Sequence, residues 1–253
     1  MELLDLTQPT SVLTPPWPTY EPLQVKFFKR LAPNGANGQL ITTSNHVGTH
    51  LDGPLHFCTH GKDIASIPLE ELYGPAVVVD LSDIAEDYGI YTSKDIIKRV
   101  EVKERDILII YTGYSRYSWD QPEADEIRYM CKHPGPTMEF ADWCKKMKLK
   151  WIGVDCGSAD HPMNTKIREW MPHLAKECDE YFHRKFGKSL EEIFPQAHYQ
   201  LMHTQLFPLG IIHAENLGGD INKILNQRVT IGCFPWKFMG GESAFCRIVA
   251  FIE

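Results

Sequence analysis

His46-Val47-Gly48-Thr49-His50-Leu51-Asp52-Gly53-Pro54-Leu55-His56 decides how the chain is read. Four side chains able to ligate a metal, His46, His50, Asp52 and His56, occupy even positions, so an extended strand would direct all of them to one face. A straight strand cannot gather them. At about 3.3 Å per residue, His46 and His50 would stand roughly 13 Å apart, whereas a shared ion needs each imidazole nitrogen at about 2.0–2.1 Å. A helix would bring positions 46 and 50 together, but Gly48, Gly53 and Pro54 oppose one. The spacing therefore predicts a strand that kinks at Gly48 and turns at Gly53-Pro54, curling imidazoles and a carboxylate around one point. Two imidazoles and a carboxylate with no thiolate leave coordination positions open. That suits catalytic Zn²⁺, Mn²⁺ or Fe²⁺ better than a closed structural site. With 11 histidines in 253 residues a close pair is unremarkable; three His and one Asp interleaved with Gly and Pro in this window are not.

Outward from this stretch, the pattern predicts one mixed α/β domain over residues 1–253. Residues 3–6 alternate as a short strand. Residues 10–22, with Pro15, Pro16, Pro18 and Pro22 around Trp17 and Tyr20, read as an irregular loop, because Pro removes a donor and fixes φ. Residues 39–43 read as a strand leading into the His-rich segment. The β-branched run in 75–81 and the apolar run in 106–112 read as buried strands, as does 151–154. Helices are expected at 92–100, capped by Thr92 or Ser93, and at 137–147, where Phe140, Ala141, Cys144 and Met147 recur at helical spacing. Strands are expected at 209–215, 229–234 and 247–252. Residues 160–200 are the least regular part, with Pro162, Pro172, Pro195 and one helix near 173–186.

Composition narrows the function classes. The chain has 43% hydrophobic and 23% charged residues, as soluble globular proteins do. A formal net charge of −7 without a Lys/Arg block argues against a nucleic-acid partner. Seven cysteines (Cys58, Cys131, Cys144, Cys156, Cys178, Cys233, Cys246) are odd in number and form no C-x-x-C pair. Neither a disulfide framework nor a cysteine zinc site is expected, and reduced thiols in a cytosol are the plain reading. The start Met-Glu-Leu-Leu-Asp-Leu is not a signal peptide, and no apolar run is long enough to span a bilayer. The expectation is a cytoplasmic protein with a small-molecule substrate, no nucleic acid and no membrane.

The quoted stretch resembles the signature H-x-G-T-H-x-D-x-P-x-H of the cyclase family, which contains bacterial kynurenine formamidase and isatin hydrolase. His46, Gly48, Thr49, His50, Asp52, Pro54 and His56 all match it. The likeness extends to Asp5-Leu6-Thr7 with the Pro-rich loop and Trp17, to Asp106–Gly113, to Gly153–Asp160, and to His203–Glu215. The resemblance implies a swivelling β/β/α domain, commonly dimeric, and one or two divalent ions, Zn or Mn. It implies that His46, His50 and Asp52 hold the first ion, that Asp52 bridges to a second held also by His203 and Glu215, that His56 is the acid/base, and that Trp17 lines the substrate pocket. Taken alone, His203 and Glu215 read as surface or capping residues, and it is the resemblance that makes ligation an equal reading. His213, two residues from Glu215, is a reserve ligand that strand alternation places on the same face.

Other residues carry weaker signals. Asp155 and Asp160 follow a strand end and read either as functional or as turn formers. Cys156 has no neighbouring base to activate it, and Gly240-Gly241 lacks the context of a nucleotide loop. The implied activity is metal-assisted hydrolysis of a C–N amide bond, in a ring amide or imide such as isatin or in an N-formyl aryl amine such as N-formylkynurenine. The alternatives are a metal-dependent lyase or cyclase, a lactone hydrolase, and a metal-binding module without turnover. Residues 160–200 exceed the compact formamidases in length and carry Trp170, Tyr181, Phe182 and Phe194. They are expected to form a wall or lid over the pocket.

Overall fold

The computed structural model describes residues 1–252. Twelve strands are formed: β1 (Glu2–Asp5), β2 (Gln24–Lys29), β3 (Gly38–Thr42), β4 (His50–Asp52), β5 (Tyr73–Asp80), β6 (Ile90–Tyr91), β7 (Ile107–Tyr111), β8 (Gly135–Pro136), β9 (Trp151–Val154), β10 (Ile212–Glu215), β11 (Arg228–Pro235) and β12 (Ser243–Ile252). The ladder runs β12-β11-β5-β7-β9-β10-β4, and β4 pairs back onto β12, so seven strands close into a barrel. The segment from β5 to β10 is parallel, and the remaining pairings are antiparallel.

Closure depends on the length of β12. Its first residues, Ser243–Phe245, pair with β4, while Val249–Ile252 pair along the same edge with β1. Strand positions agree with the expectations to within a few residues. The last strand begins earlier, at Ser243, and β10 begins later, at Ile212, because Phe207–Leu209 close one 3₁₀ turn that Gly210 ends at φ +77°. Residues 39–42 form a strand, but it pairs with β2 in a separate ribbon. This ribbon leaves Val25, Phe28, Leu40 and Ile41 exposed.

Side-chain alternation divides the interior in two. Leu51, Ala76, Val78, Ile107, Ile109, Trp151, Ala214, Ile231 and Ala244 belong to one buried cluster that draws on all seven barrel strands and fills the barrel. Their alternates Val77, Val79, Leu108, Ile110, Ile152 and Val154 join a second cluster outside it, against helices. Burial on both faces explains why β5, β7 and β9 read as continuous apolar runs. Truncating a fully buried side chain such as Trp151 would cost about 3–5 kcal/mol.

The outer helices follow from local signals. Ser93–Ile97 starts at a capping box between Thr92 and Asp95. Met138–Met147 buries Phe140, Ala141 and Cys144. Pro172–Phe186 has Pro at its first position and Gly187 at its left-handed end. Its buried face is Leu174, Cys178, Tyr181 and Phe182, a helical repeat. Tyr181, Phe182 and Phe194 therefore pack into the outer core instead of facing a pocket. Of the four aromatics in 160–200 that suggested a lid, only Trp170 lines the cavity described below.

Candidate metal centre

Leu51 points into the barrel, so its neighbours His50 and Asp52 point outward from β4. Across the ladder, Glu215 of β10 lies opposite His50 and His213 opposite Asp52. The site is thus built on the outer wall of the barrel where β4 meets β10, beneath the segment that ends in the helix Leu201–Leu206. Gly48 makes the approach possible. It adopts φ +65°, and a Cβ there would stand 2.9 Å from Thr10 Oγ1. The kink returns His46 to His50, four residues away, with the two ring centroids 4.9 Å apart. Thr49 anchors the other side of the strand by donating to the Asn216 carbonyl at 2.6 Å and accepting from the Gln8 N–H at 2.9 Å. Gly53 and the 3₁₀ turn Pro54–His56 then carry His56 back toward the group.

Three donor atoms face one point. His46 Nδ1 lies 3.1 Å from Asp52 Oδ1 and 3.2 Å from His50 Nε2, and the last two atoms are 3.4 Å apart. These are close to the edges, about 3.3 Å, of a tetrahedron with bonds near 2.0 Å. His50 Nδ1 donates to the Gly48 carbonyl at 2.8 Å, which leaves Nε2 as a bare lone pair. His46 Nε2 is 3.0 Å from Glu242 Oε2; a proton donated there leaves Nδ1 bare in the neutral ring. Asp52 Oδ1 is buried and accepts no hydrogen bond despite these near neighbours.

The second carboxylate oxygen faces another group. Asp52 Oδ2 is 3.5 Å from His203 Nε2, which is 3.9 Å from Glu215 Oε1. His203 Nδ1 is fixed on Asp160 Oδ2 at 2.5 Å, and Asp160 Oδ1 accepts the Met202 N–H at 2.8 Å. Glu215 is held by the Ala159 N–H at 2.7 Å. All of these side chains are buried.

The electrostatics fit a cation at the centre. Burial opposes charge on His46, but Asp52 and then Glu242 push its pKa up to about 10. Burial likewise opposes charge on His203, yet Asp160 and Asp52 push it up to about 10. His50, for which burial dominates, falls to about 4. Burial, reinforced by the Asp52 charge, raises Glu215 to about 8. The carboxylates thus draw protons onto neighbouring imidazoles to offset crowded negative charge. A divalent ion would supply that offset, and these residues present the oxygen and nitrogen donors to hold it.

A cavity of about 300 Å³ opens onto these groups. Trp17, Tyr20, Phe57, Trp170 and Tyr199 supply aromatic walls, with His56 also at its lining. A larger cleft of about 840 Å³, between Pro54, Lys62, Arg105 and Phe207, contains none of the converging donors. The converging donors open onto the smaller cavity alone of these two.

The structure therefore brings together His46, His50, Asp52, His56, His203, Glu215 and Trp17. Sequence reasoning missed Glu242, whose Oε2 lies 2.7 Å from His56 Nδ1 as well as beside His46. Burial disfavours the charged form of Glu242, but the hydrogen bonds from His46 and His56 hold it far below the usual carboxylate range. Asp160 proves to orient His203. Asp155 is structural, accepting from the Thr112 N–H and hydroxyl at 2.8 and 2.7 Å. His161 is locked between the Tyr88 carbonyl and the Met163 N–H, and Cys156 is a buried thiol with its pKa raised by burial.

Known proteins resemble the chain in sequence and in fold. The pattern of the family described as "Putative cyclase" matches residues 4–161. Kynurenine formamidase of Geobacillus thermodenitrificans is 32% identical over 215 residues, 84% of this chain and 92% of that protein. The fold resembles isatin hydrolase A from Ralstonia solanacearum (TM-score 0.76, 21% identity, all of this chain and 92% of that one). It also resembles a protein described as a "predicted metal-dependent hydrolase" from Bacillus stearothermophilus (TM-score 0.67, 19% identity, 98% and 97% covered). A family pattern over more than half of the residues, with a relative of this identity spanning most of the rest, makes the chain a member of the cyclase family.

Proposed function

We propose that the chain is a metal-dependent hydrolase that cleaves the C–N bond of a small, flat amide, in a ring amide or imide such as isatin or in an N-formyl aryl amine such as N-formylkynurenine. The observation that supports this best is the convergence of His46 Nδ1, His50 Nε2 and Asp52 Oδ1 at mutual distances of 3.1–3.4 Å, with Asp52 Oδ1 unbonded. In this reading the three hold one divalent ion, and His203, Glu215 and Asp52 Oδ2 hold a second. Zn²⁺ or Mn²⁺ suits such donors. When bound, the ion supplies an electrophile and acidifies water at neutral pH.

His56 is the acid/base. Its Nδ1 proton is engaged by Glu242, so the neutral ring presents Nε2 as the basic atom. It takes a proton from the attacking water and returns it to the leaving nitrogen, which departs poorly unless protonated. Glu242 orients the ring, one task of the carboxylate in a catalytic triad. Trp17, Tyr20 and Phe57 line the cavity and provide stacking surface for a flat substrate. The cavity of about 300 Å³ suits one or two fused rings. For the expected homodimer, the support is the exposed apolar ribbon of β2 and β3. Light scattering should then give twice the chain mass of 29.0 kDa.

The test is to strip the protein with a strong chelator and assay these amides before and after adding Zn²⁺ or Mn²⁺. Activity should vanish and return. Full activity in protein shown to be metal-free would refute the reading.

A further inference from the structure

His213 is fully buried at the centre of β10, beside the proposed second ion, and has no role yet. Neither ring nitrogen has a hydrogen-bond partner among the described residues. Buried polar atoms are normally satisfied, and an imidazole that gives up its solvation without any bond is an exception that calls for a cause. Compare His133, also fully buried, whose Nδ1 donates to the Pro134 carbonyl at 2.9 Å. His213 lacks even that.

Its neighbours are of two kinds. Phe207 packs against it with ring centroids 4.7 Å apart, which apolar packing alone would produce. His203 lies edge-on to it at 5.0 Å and packs on the same Phe207 ring, also at 5.0 Å. One donor atom each of His203, His213 and Glu215 lie within 4.8 Å of one another. Two ligands of one ion stand at most about 4.2 Å apart, twice a bond of about 2.1 Å. The trio, all within 4.8 Å, comes near that span and would close on one ion with a small side-chain adjustment. Register explains the placement: His213 and Glu215 are alternate residues of one strand, so both leave the barrel on the face that carries Asp52 and His50.

We infer that His213 is a further ligand of the second ion, which is then held by His203, His213, Glu215 and the bridging Asp52. Two imidazoles and two carboxylates favour Zn²⁺ or Co²⁺ at this position over Mn²⁺ or Mg²⁺. The inference rests on the metal reading above, and its test separates the two.

The experiment is Co²⁺ titration of metal-stripped wild type and His213→Leu, followed by visible absorption and equilibrium dialysis. The expected result is two ions in wild type. In the variant, the first binds unchanged and the second binds on the order of 10–100-fold more weakly, with an altered spectrum. Two ions of unchanged affinity and spectrum in the variant would overturn the role of His213 while leaving the metal reading intact. No ion in wild type would overturn both. Should His213→Leu fail to fold, wild type labelled with ¹⁵N and loaded with ¹¹³Cd²⁺ decides the matter. Metal–nitrogen coupling at His46, His50, His203 and His213 supports the inference; coupling at the first three without His213 overturns it.

Discussion

Asp52 Oδ1 stands 3.1 Å from His46 Nδ1 and accepts no hydrogen bond from it. Two polar atoms at this distance, both buried, are normally joined by a proton. On the opposite side of the ring His46 Nε2 lies 3.0 Å from Glu242 Oε2, so a neutral ring that gives its proton to Glu242 would turn a lone pair toward Asp52. A cation between them would satisfy both atoms. In the proposed reading His50 contributes a third donor to the same point, so replacing it is expected to remove an ion and replacing His56 is not.

His50→Ala should therefore lose the metal, and His56→Ala should retain at least one ion while losing turnover by about 10²–10⁴-fold. Elemental analysis beside a rate measurement checks both. A His56→Ala protein free of metal would move His56 into the ligand set.

Asp160→Asn keeps the shape of the side chain that grips His203 but removes its charge. Affinity for the second ion should fall on the order of 10–100-fold, with the first ion unaffected. Sequential Co²⁺ titration resolves the two. Equal weakening of both ions would show that Asp160 supports the whole fold of the site.

Glu242→Gln should lower kcat by about 10–100-fold with a smaller change in metal content, since the amide holds the His56 ring less firmly in orientation than the carboxylate does. An unchanged kcat would leave Glu242 as a packing partner.

How much of this was legible in sequence depended on distance along the chain. The His46–His56 stretch declares itself because its ligands are local and its Gly and Pro residues fix the bend. Glu242 lies far from the signature, in a hairpin end without a motif, and only the pairing of Ser243 with Asp52 brings it to His56. The strands were readable from β-branched runs, but closure was not. Closure arises because β12 is long enough to serve β4 and β1 on one edge, and length against two partners leaves no periodic trace. In 160–200, aromatic content suggested a lid. The spacing of Leu174, Cys178, Tyr181 and Phe182 already marked a helix face, and the structure buries it.

Trp170 remains at the cavity with Tyr199. Trp170→Ala should change which ring amide or formamide is accepted, through KM, with metal affinity unaltered. Substrate profiling of the folded variant checks this, and an identical profile would remove the segment from specificity.

His133 and His161 give the protein a defined acid sensitivity. Burial holds them at about 4 and about 3, against an ordinary value near 6.5. A base with a depressed folded pKa contributes stability above its unfolded pKa and loses it as pH falls toward the folded value. Each should thus cost about 1.4 kcal/mol per pH unit below about 6. Urea midpoints between pH 7 and 4 measure the slope, and His133→Gln should reduce it by about one proton. An unchanged slope would mean that His133 does not titrate in this range.

In the proposed reading His46, His50 and Asp52 would hold an ion that activates the water attacking an amide carbonyl. The most direct test of this is product mass, with isatin or N-formylkynurenine incubated in ¹⁸O-water with metal-loaded and metal-stripped protein. The account predicts one ¹⁸O in the new carboxylate, or in released formate, with loaded protein alone. A product without added water, or equal turnover by stripped protein, would contradict it.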